Sequence, residues 1–400
     1  MSALGVGIAC FPTVGGSGVA ASQLAMQLAG RGHRVHVFAS DVPVRLQGDG
    51  PWTVHRAETS PRPPAGAVAP PLALARVMAE VAERASLDVL HVHYALPHGP
   101  AALLARELLR GNGRRAPPLI TTLHGTDVTG VGRDAAMRAQ VRETVLGSSA
   151  VLTPSAWLRR MAVDALALPS SVRLEVVPNF VDPEAFHPLQ NGGGEVPALF
   201  PGLEWTAARR PAVLLHASNF RPVKRVGDTV RTLAEVRRTR DAVLVLVGDG
   251  PDRAPVEALS GALGVRDSVA FAGERRSLGD LFAHADLFLL PSEQESFGLA
   301  ALESLASGVP VVASEVGGVP EVVTHGETGW LVPAGNPRAM AAAVLSLLGD
   351  PPRRARMGRA ARARALGLFQ PGPLVSRVEE IYREVLDPPV SRAGRGPATA

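Results

Sequence analysis

The sequence predicts an α/β protein of two doubly wound domains that face each other across a cleft. Three observations carry this expectation. The 400 residues exceed what one hydrophobic core usually serves. Short β-rich apolar runs alternate with longer helix-patterned stretches. The alternation occurs twice, with a Pro-, Gly- and Asn-rich stretch between the two series.

In the first series the strands are expected at Leu4 to Phe11, Val35 to Ala39, Val89 to His93, Leu119 to His124, Val151 to Pro154 and Leu174 to Val177. Each is short, apolar and followed by a turn signal, as strands buried on both faces of a parallel sheet are. Pro61 to Pro71 reads as a loop ahead of a helix over Leu72 to Leu87. The second series has strands at Ala212 to Ala217, Ala242 to Val247, Val269 to Ala272, Leu287 to Leu290 and Val309 to Ser314. The expected organisation is therefore a first domain over 1–180, a linker and insertion over 181–210 that includes Asn191-Gly192-Gly193-Gly194, and a second domain over 211–371. An amphipathic helix follows over 372–388, packing back on the first domain, and then a Gly-, Pro- and Ala-rich tail over 389–400.

Composition narrows the class of function. With 46% apolar and 20% charged residues the chain is globular rather than disordered, and the net charge of only +4, spread along the chain, argues against nucleic acid as a partner. The arginine-rich run from Arg353 to Arg364 interleaves with alanines and is read as a solvated helix face. A single cysteine, Cys10, rules out an intramolecular disulfide framework. The start lacks the basic opening and cleavage site of a signal peptide, and no apolar run approaches the length of a membrane span, so a cytoplasmic protein without a membrane span is expected. A homo-oligomer stays open.

Ligands of open α/β sheets bind beyond the carboxyl ends of the strands, so the residues there are the candidates. The first strand runs into Pro12-Thr13-Val14-Gly15-Gly16-Ser17-Gly18 and a helix, which is either a tight turn or a cradle of backbone amides for an anion. The spacing fits neither the dinucleotide fingerprint nor a P-loop. Asp41, ending the second strand, gives a dinucleotide oxidoreductase only superficial support.

On the second domain, Ser218-Asn219-Phe220-Arg221-Pro222-Val223-Lys224-Arg225 is a basic loop at a strand end. It is suited to a diphosphate leaving group or is simply solvated. Val247 to Pro251 and Phe271 to Arg276 leave strands on the same rim. Pro291 to Leu299 enters a helix that carries Glu303, placing Glu295 in the loop and Glu303 inside the helix, with the amides of Phe297, Gly298 and Leu299 at its start. Carboxylates can take paired sugar hydroxyls while amides take phosphate, or the acids can be helix caps. His91-Val92-His93-Tyr94 and Leu123-His124-Gly125-Thr126-Asp127 supply polar groups on the opposing rim, and His124, at a Gly-containing strand exit, is the better catalytic candidate. No Asp-x-Asp triplet occurs, so no protein-held metal and no cofactor is expected.

Together these words resemble the retaining GT-B glycosyltransferases of family 4, over residues 4 to 386. The matching words are Glu295-Ser296-Phe297-Gly298, Ala306 to Ala313, and Gly317-Gly318-Val319-Pro320-Glu321. The resemblance implies two Rossmann-like domains and a catalytic set of His124, Lys224 and Glu295. It also implies a donor site of Gly15, Gly16, Asn219, Arg221, Lys224, Glu295, Phe297, Gly298, Leu299 and Glu303. In that site Glu303 would hold the donor ribose, Glu295 a sugar hydroxyl, and Lys224 the diphosphate. Many relatives carry an arginine where this chain has Asn219, and Arg221 is the candidate substitute. The N-terminal words Cys10 to Gly18, His91 to His98 and Thr121 to Asp127 resemble, more narrowly, the branch that transfers N-acetylglucosamine from UDP-N-acetylglucosamine to L-malate, the first step of bacillithiol biosynthesis. For that acceptor the implied pocket is Ser17, Tyr94, Thr126 and Arg142. An inositol phosphate or a lipid-linked sugar is the alternative acceptor, and a nucleotide-sugar epimerase or sensor is the rival on the same fold.

Overall fold

A computed structural model describes residues 2–13, 15–57, 70–130, 134–188, 196–200, 210–275 and 277–387. The expected loop over Pro61 to Pro71 (up to residue 69), Asn191 to Gly194, Arg276 and the tail over 389–400 lie outside the described residues.

The first sheet has seven strands: β1 (Gly5–Ala9), β2 (Arg34–Ala39), β3 (Trp52–Arg56), β4 (Val89–His93), β5 (Leu119–Thr122), β6 (Ala150–Thr153) and β7 (Leu174–Val176). All pairs are parallel, in the order β3-β2-β1-β4-β5-β6-β7. The second has six parallel strands: β8 (Ala212–Ala217), β9 (Ala242–Val247), β10 (Val269–Gly273), β11 (Leu287–Leu290), β12 (Val311–Ser314) and β13 (Gly329–Val332), ordered β10-β9-β8-β11-β12-β13. Strand order reverses between β1 and β4 in one sheet and between β8 and β11 in the other. At these switch points successive connections leave on opposite faces and open a crevice at the strand carboxyl ends.

Two strands escaped sequence reading. β3 is a partly exposed edge strand of Trp, Thr, Val, His and Arg, and β13 is four residues long and begins with glycine, so neither presents an apolar run. The central strands β1, β4, β9 and β11 are buried throughout, which is why their sequences read as unbroken apolar runs.

Helices α1 (Gly16–Gly30), α2 (Pro70–Arg84), α3 (His98–Gly111), α4 (Thr126–Thr129), α5 (Ala135–Leu146) and α6 (Ala156–Ala165) accompany the first sheet. With the second go α7 (Val226–Val236), α8 (Arg253–Ala262), α9 (Gly279–His284), α10 (Leu299–Ala306), α11 (Val319–Val322), α12 (Pro337–Leu348) and α13 (Pro351–Leu368). The last helix, α14 (Pro371–Leu386), returns to the first sheet, where Val375, Val378, Ile381 and Tyr382 join the core of α1, β1 and β2. Its polar groups are matched there too. Glu379 sits 2.9 Å from His33 Nε2 and 3.2 Å from Arg31, and Tyr382 Oη lies 2.7 Å from His91 Nδ1.

The arginine run is not a uniformly solvated face. Along α13, Arg354 pairs with Asp286 at 3.2 Å, Arg362 donates to the carbonyls of Phe186 and Ala306, and Arg364 donates to those of Glu321 and Val322. Guanidinium forks here close off carbonyls of loops and helix ends, a role that sequence interleaving does not reveal.

Candidate active site

The carboxyl ends of the two sheets face one another across a cavity of about 1150 Å³. That is the size of a small-molecule site, at the place the strand-order reversals predict.

On the first-domain wall, β1 leads into the loop before α1, whose start brings the amides of Gly16, Ser17 and Gly18 ahead of the first helical bond, donated by Val19 N to Gly15 O. Gly15, Gly16 and Ser17 line the cavity, and a Cβ at Gly15 would come within 4.0 Å of Asn219 Nδ2 on the opposite domain. Tyr94, just past β4, lines the same wall with φ of +80°, a left-handed conformation that costs a bulky side chain energy and occurs where the surroundings impose it. Its ring meets Phe11 edge-on at 5.3 Å and stacks on His124 at 5.9 Å. Burial and the nearby Asp127 push its hydroxyl up to about 12, opposed by Thr126 and Arg221.

His124 follows β5 and Thr126 opens α4. The buried Asp127 carboxylate holds this turn by accepting from His124 N at 2.7 Å and Ala95 N at 2.8 Å, so one side chain ties the β4 and β5 exits together. Burial raises its carboxyl to about 6 despite those donors. The His124 ring sits 3.0 Å, Nε2 to Nδ1, from His93, and burial with the charge of His98 pushes it down to about 3. It is a neutral imidazole at physiological pH.

On the second-domain wall, the loop after β8 presents Asn219, Arg221 and Lys224 to the cavity. Lys224 Nζ donates to Glu295 Oε1 at 2.6 Å, and Ser292 Oγ donates to the same oxygen at 3.0 Å. Beyond β11 the chain carries Glu295 and then Phe297, Gly298 and Leu299, whose amides precede the first bond of α10, donated by Leu302 N to Gly298 O. Glu303, inside α10, is only 4% exposed, and burial pushes its carboxyl up to about 7 against an opposing pull from Arg45.

The Glu295 loop is clamped from both sides. Gly318 N donates to Glu295 O at 2.9 Å, and a Cβ on Gly317, with φ of +58°, would lie 1.8 Å from that same carbonyl oxygen, so only glycine fits. From the first domain, Ser155 Oγ donates to Ser296 O at 2.6 Å, while Ser296 Oγ donates to His124 O at 2.7 Å. The Glu321 carboxylate accepts from the amides of Ala156 and Trp157 at 2.8 Å each, capping α6 across the domain boundary.

Of the expected residues, the structure brings Gly15, Gly16, Ser17, Tyr94, His124 and Thr126 together with Asn219, Arg221, Lys224, Glu295, Phe297, Gly298, Leu299 and Glu303 around one cavity. Arg142 is not brought with them. It lies on α5, where Nε donates to Leu166 O at 3.1 Å and a terminal nitrogen stands 3.8 Å from Glu143. The helix turns that side chain toward α6 instead of the cavity.

Sequence reasoning missed several neighbours. Arg45, in the turn after β2, reaches within 3.9 Å of Glu303 from the other domain, and no sequence signal marks it. Asp127 and Glu321 stood inside quoted words, yet their roles as acceptors for backbone amides needed coordinates. Among the described residues, no three His, Cys, Asp or Glu side chains gather in a way that could hold a metal, and no helix is long and apolar enough to cross a membrane.

Comparison with known proteins agrees with this architecture. Residues 14–185 match the family model described as Glycosyltransferase Family 4, and residues 204–364 match that described as Glycosyl transferases group 1. The chain is 39% identical to the N-acetyl-alpha-D-glucosaminyl L-malate synthase of Bacillus anthracis over 96% of its own length and 97% of that protein's. Its fold is that of sucrose-phosphate synthase from Thermosynechococcus elongatus, with a TM-score of 0.78, 20% identity and coverage of 96% and 99% of the two chains. It is likewise that of Anabaena HepE in complex with UDP and glucose, with a TM-score of 0.74, 21% identity and coverage of 94% and 98%. With a GT-B pair of Rossmann-like sheets, both family models matched in order and near-complete alignment to a curated member, the chain belongs to the family 4 glycosyltransferases.

Proposed function

We propose that this enzyme transfers N-acetylglucosamine from UDP-N-acetylglucosamine to the hydroxyl of L-malate with retention at the anomeric carbon, in the cytoplasm, as the first step of bacillithiol biosynthesis. The observation that carries the reading is the near-full-length identity to the malate synthase from Bacillus anthracis, which spans both walls of the cleft.

In the reaction the bond from the anomeric carbon to the diphosphate oxygen breaks, and the malate hydroxyl oxygen bonds to the same face of that carbon. The hydroxyl proton passes to the departing phosphate oxygen, so UDP leaves with it and no protein nucleophile is required. The protein's task is to stabilise charge growing on the diphosphate and to hold the malate hydroxyl beside the departing phosphate oxygen. Lys224, released from Glu295 by the incoming donor, and the amides at the starts of α1 and α10 supply the positive field, with Arg221 as the second cation. Glu303 takes the ribose hydroxyls, Glu295 a sugar hydroxyl, and His124 the donor sugar. Ser17, Tyr94 and Thr126 form the acceptor pocket on the first domain. No protein-held metal takes part.

Mass-spectrometric product analysis with UDP-N-acetylglucosamine and a panel of hydroxy acids, inositol phosphate and uncharged sugars tests this reading. A malate adduct formed in preference to all others is expected. Preference for inositol phosphate or an uncharged acceptor would overturn the acceptor assignment.

A further inference from the structure

Four histidines cluster behind the first-domain wall. His91 and His93 alternate along β4, His98 begins α3 and His124 follows β5. Three of them are accounted for. His91 is held at both nitrogens, by Tyr382 Oη and Thr122 Oγ1 at 2.7 Å each. His98 Nδ1 donates to the carbonyl of His93 at 2.8 Å. His124 lines the cavity, with Nε2 engaged by His93.

His93 lies between the His91 and His124 rings, at 4.6 and 5.2 Å, and is 4% exposed. Its Nδ1 is spent on His124. Its Nε2 is buried without a protein partner, and His93 borders a small cavity of about 40 Å³ that Gln23, His91, Thr122 and Asn179 also line. That volume admits a water, and the lining offers the polar partners a buried water needs. Asn179 lines the large cleft as well, so the small cavity adjoins the active site.

Resting on the function proposed above, we propose that His93 is a positioning residue that fixes the tautomer of His124, so that His124 presents an N–H rather than a bare lone pair to the cleft. Burial holds both rings neutral, each pushed well below the usual imidazole range. Each ring then carries one proton, and the 3.0 Å contact uses one of the two. Only two arrangements exist. If His93 donates from Nδ1, His124 accepts at Nε2 and keeps its own proton on Nδ1. If His124 donates from Nε2, its Nδ1 faces ligand as an acceptor. A sugar hydroxyl oxygen accepts from the first arrangement, whereas the second would need that hydroxyl to donate, so the tautomer decides how His124 meets the donor sugar. The first arrangement leaves His93 Nε2 as a lone pair, which a water in the small cavity can satisfy by donating.

The test uses the full chain labelled with ¹⁵N-histidine, with His124→Gln to assign the His124 signals, and long-range ¹H–¹⁵N spectra that read each tautomer directly. Wild type should show His124 protonated at Nδ1. In His93→Phe that signature should be lost and kcat/KM should fall about tenfold, the effect of one hydrogen bond made to a reacting ligand. His93→Asn, whose amide can donate toward Nε2 of His124, should restore both the signature and most of the rate. His124 protonated at Nε2 in wild type, or a folded His93→Phe with unchanged His124 signals and rate, would overturn the proposal. So would a His93→Asn variant that restores the signature without the rate. The spectra need no substrate, so a failure of the malate reading and a failure of this one register in different measurements.

Discussion

Replacing Glu303 by glutamine should make the protein more stable above neutral pH while weakening its hold on nucleotide. The Glu303 carboxyl is 4% exposed, and its pKa stands at about 7 against an ordinary 4.5, with burial as the main cause and Arg45 at 3.9 Å opposing it. Between those values the unfolded chain has lost the proton and the folded chain still holds it. Raising the pH through that window therefore favours unfolding. At roughly 1.4 kcal/mol per pH unit of displacement, the native state loses about 3 kcal/mol by pH 8, and below pH 4.5 it loses nothing. Glutamine keeps the shape and does not titrate. Denaturant midpoints of Glu303→Gln and wild type should thus converge near pH 4.5 and separate by up to about 3 kcal/mol at pH 8, the variant being the more stable. Calorimetric UDP affinity at pH 8, where the carboxyl is mostly ionised, should fall about tenfold or more, since ribose hydroxyls lose a charged acceptor. A stability difference that does not change with pH would refute the burial argument, and an unchanged UDP affinity would refute the ribose assignment.

Lys224→Ala should lower kcat on the order of a hundredfold with a smaller change in donor KM, because its ammonium faces charge that grows only in the transition state; steady-state kinetics decide this, and a raised donor KM with kcat unchanged would place Lys224 in ground-state binding. Glu321→Ala removes the acceptor that caps α6 from the other domain, so it should destabilise the protein by about 1 kcal/mol and raise both substrate KM values by loosening the clamp on the Glu295 loop; denaturation and kinetics read these, and unchanged KM values would make the contact purely structural. EDTA should leave activity largely intact, and abolition with rescue by magnesium would contradict the metal-free reading.

What could be read from the sequence, and what could not, follows from how far apart the cooperating residues lie. The parallel sheets were legible because fully buried strands such as β1 and β9 are unbroken apolar runs, while the half-exposed edge strand β3 left no such trace. Glu295 and Glu303 were legible as a pair through the resemblance to the family, since spacing alone put one in a loop and one in a helix and left helix capping open. Arg142 misled because a helix position says little about direction: one face of α5 packs inward through Val141, Thr144 and Val145, and the arginine beside them is drawn to Leu166. Contacts between the domains were out of reach altogether. Ser155 to Ser296, Ser296 to His124 and Glu321 to the start of α6 join residues more than 100 positions apart, with no periodicity to link them. Yet these contacts set how the Glu295 loop faces His124 across the cleft. A sequence word can place a catalytic side chain on its own domain. The partner it meets across the cleft is set by backbone carbonyls and amides, such as Ser296 O, His124 O and the α6 amides, and any residue type supplies those equally well.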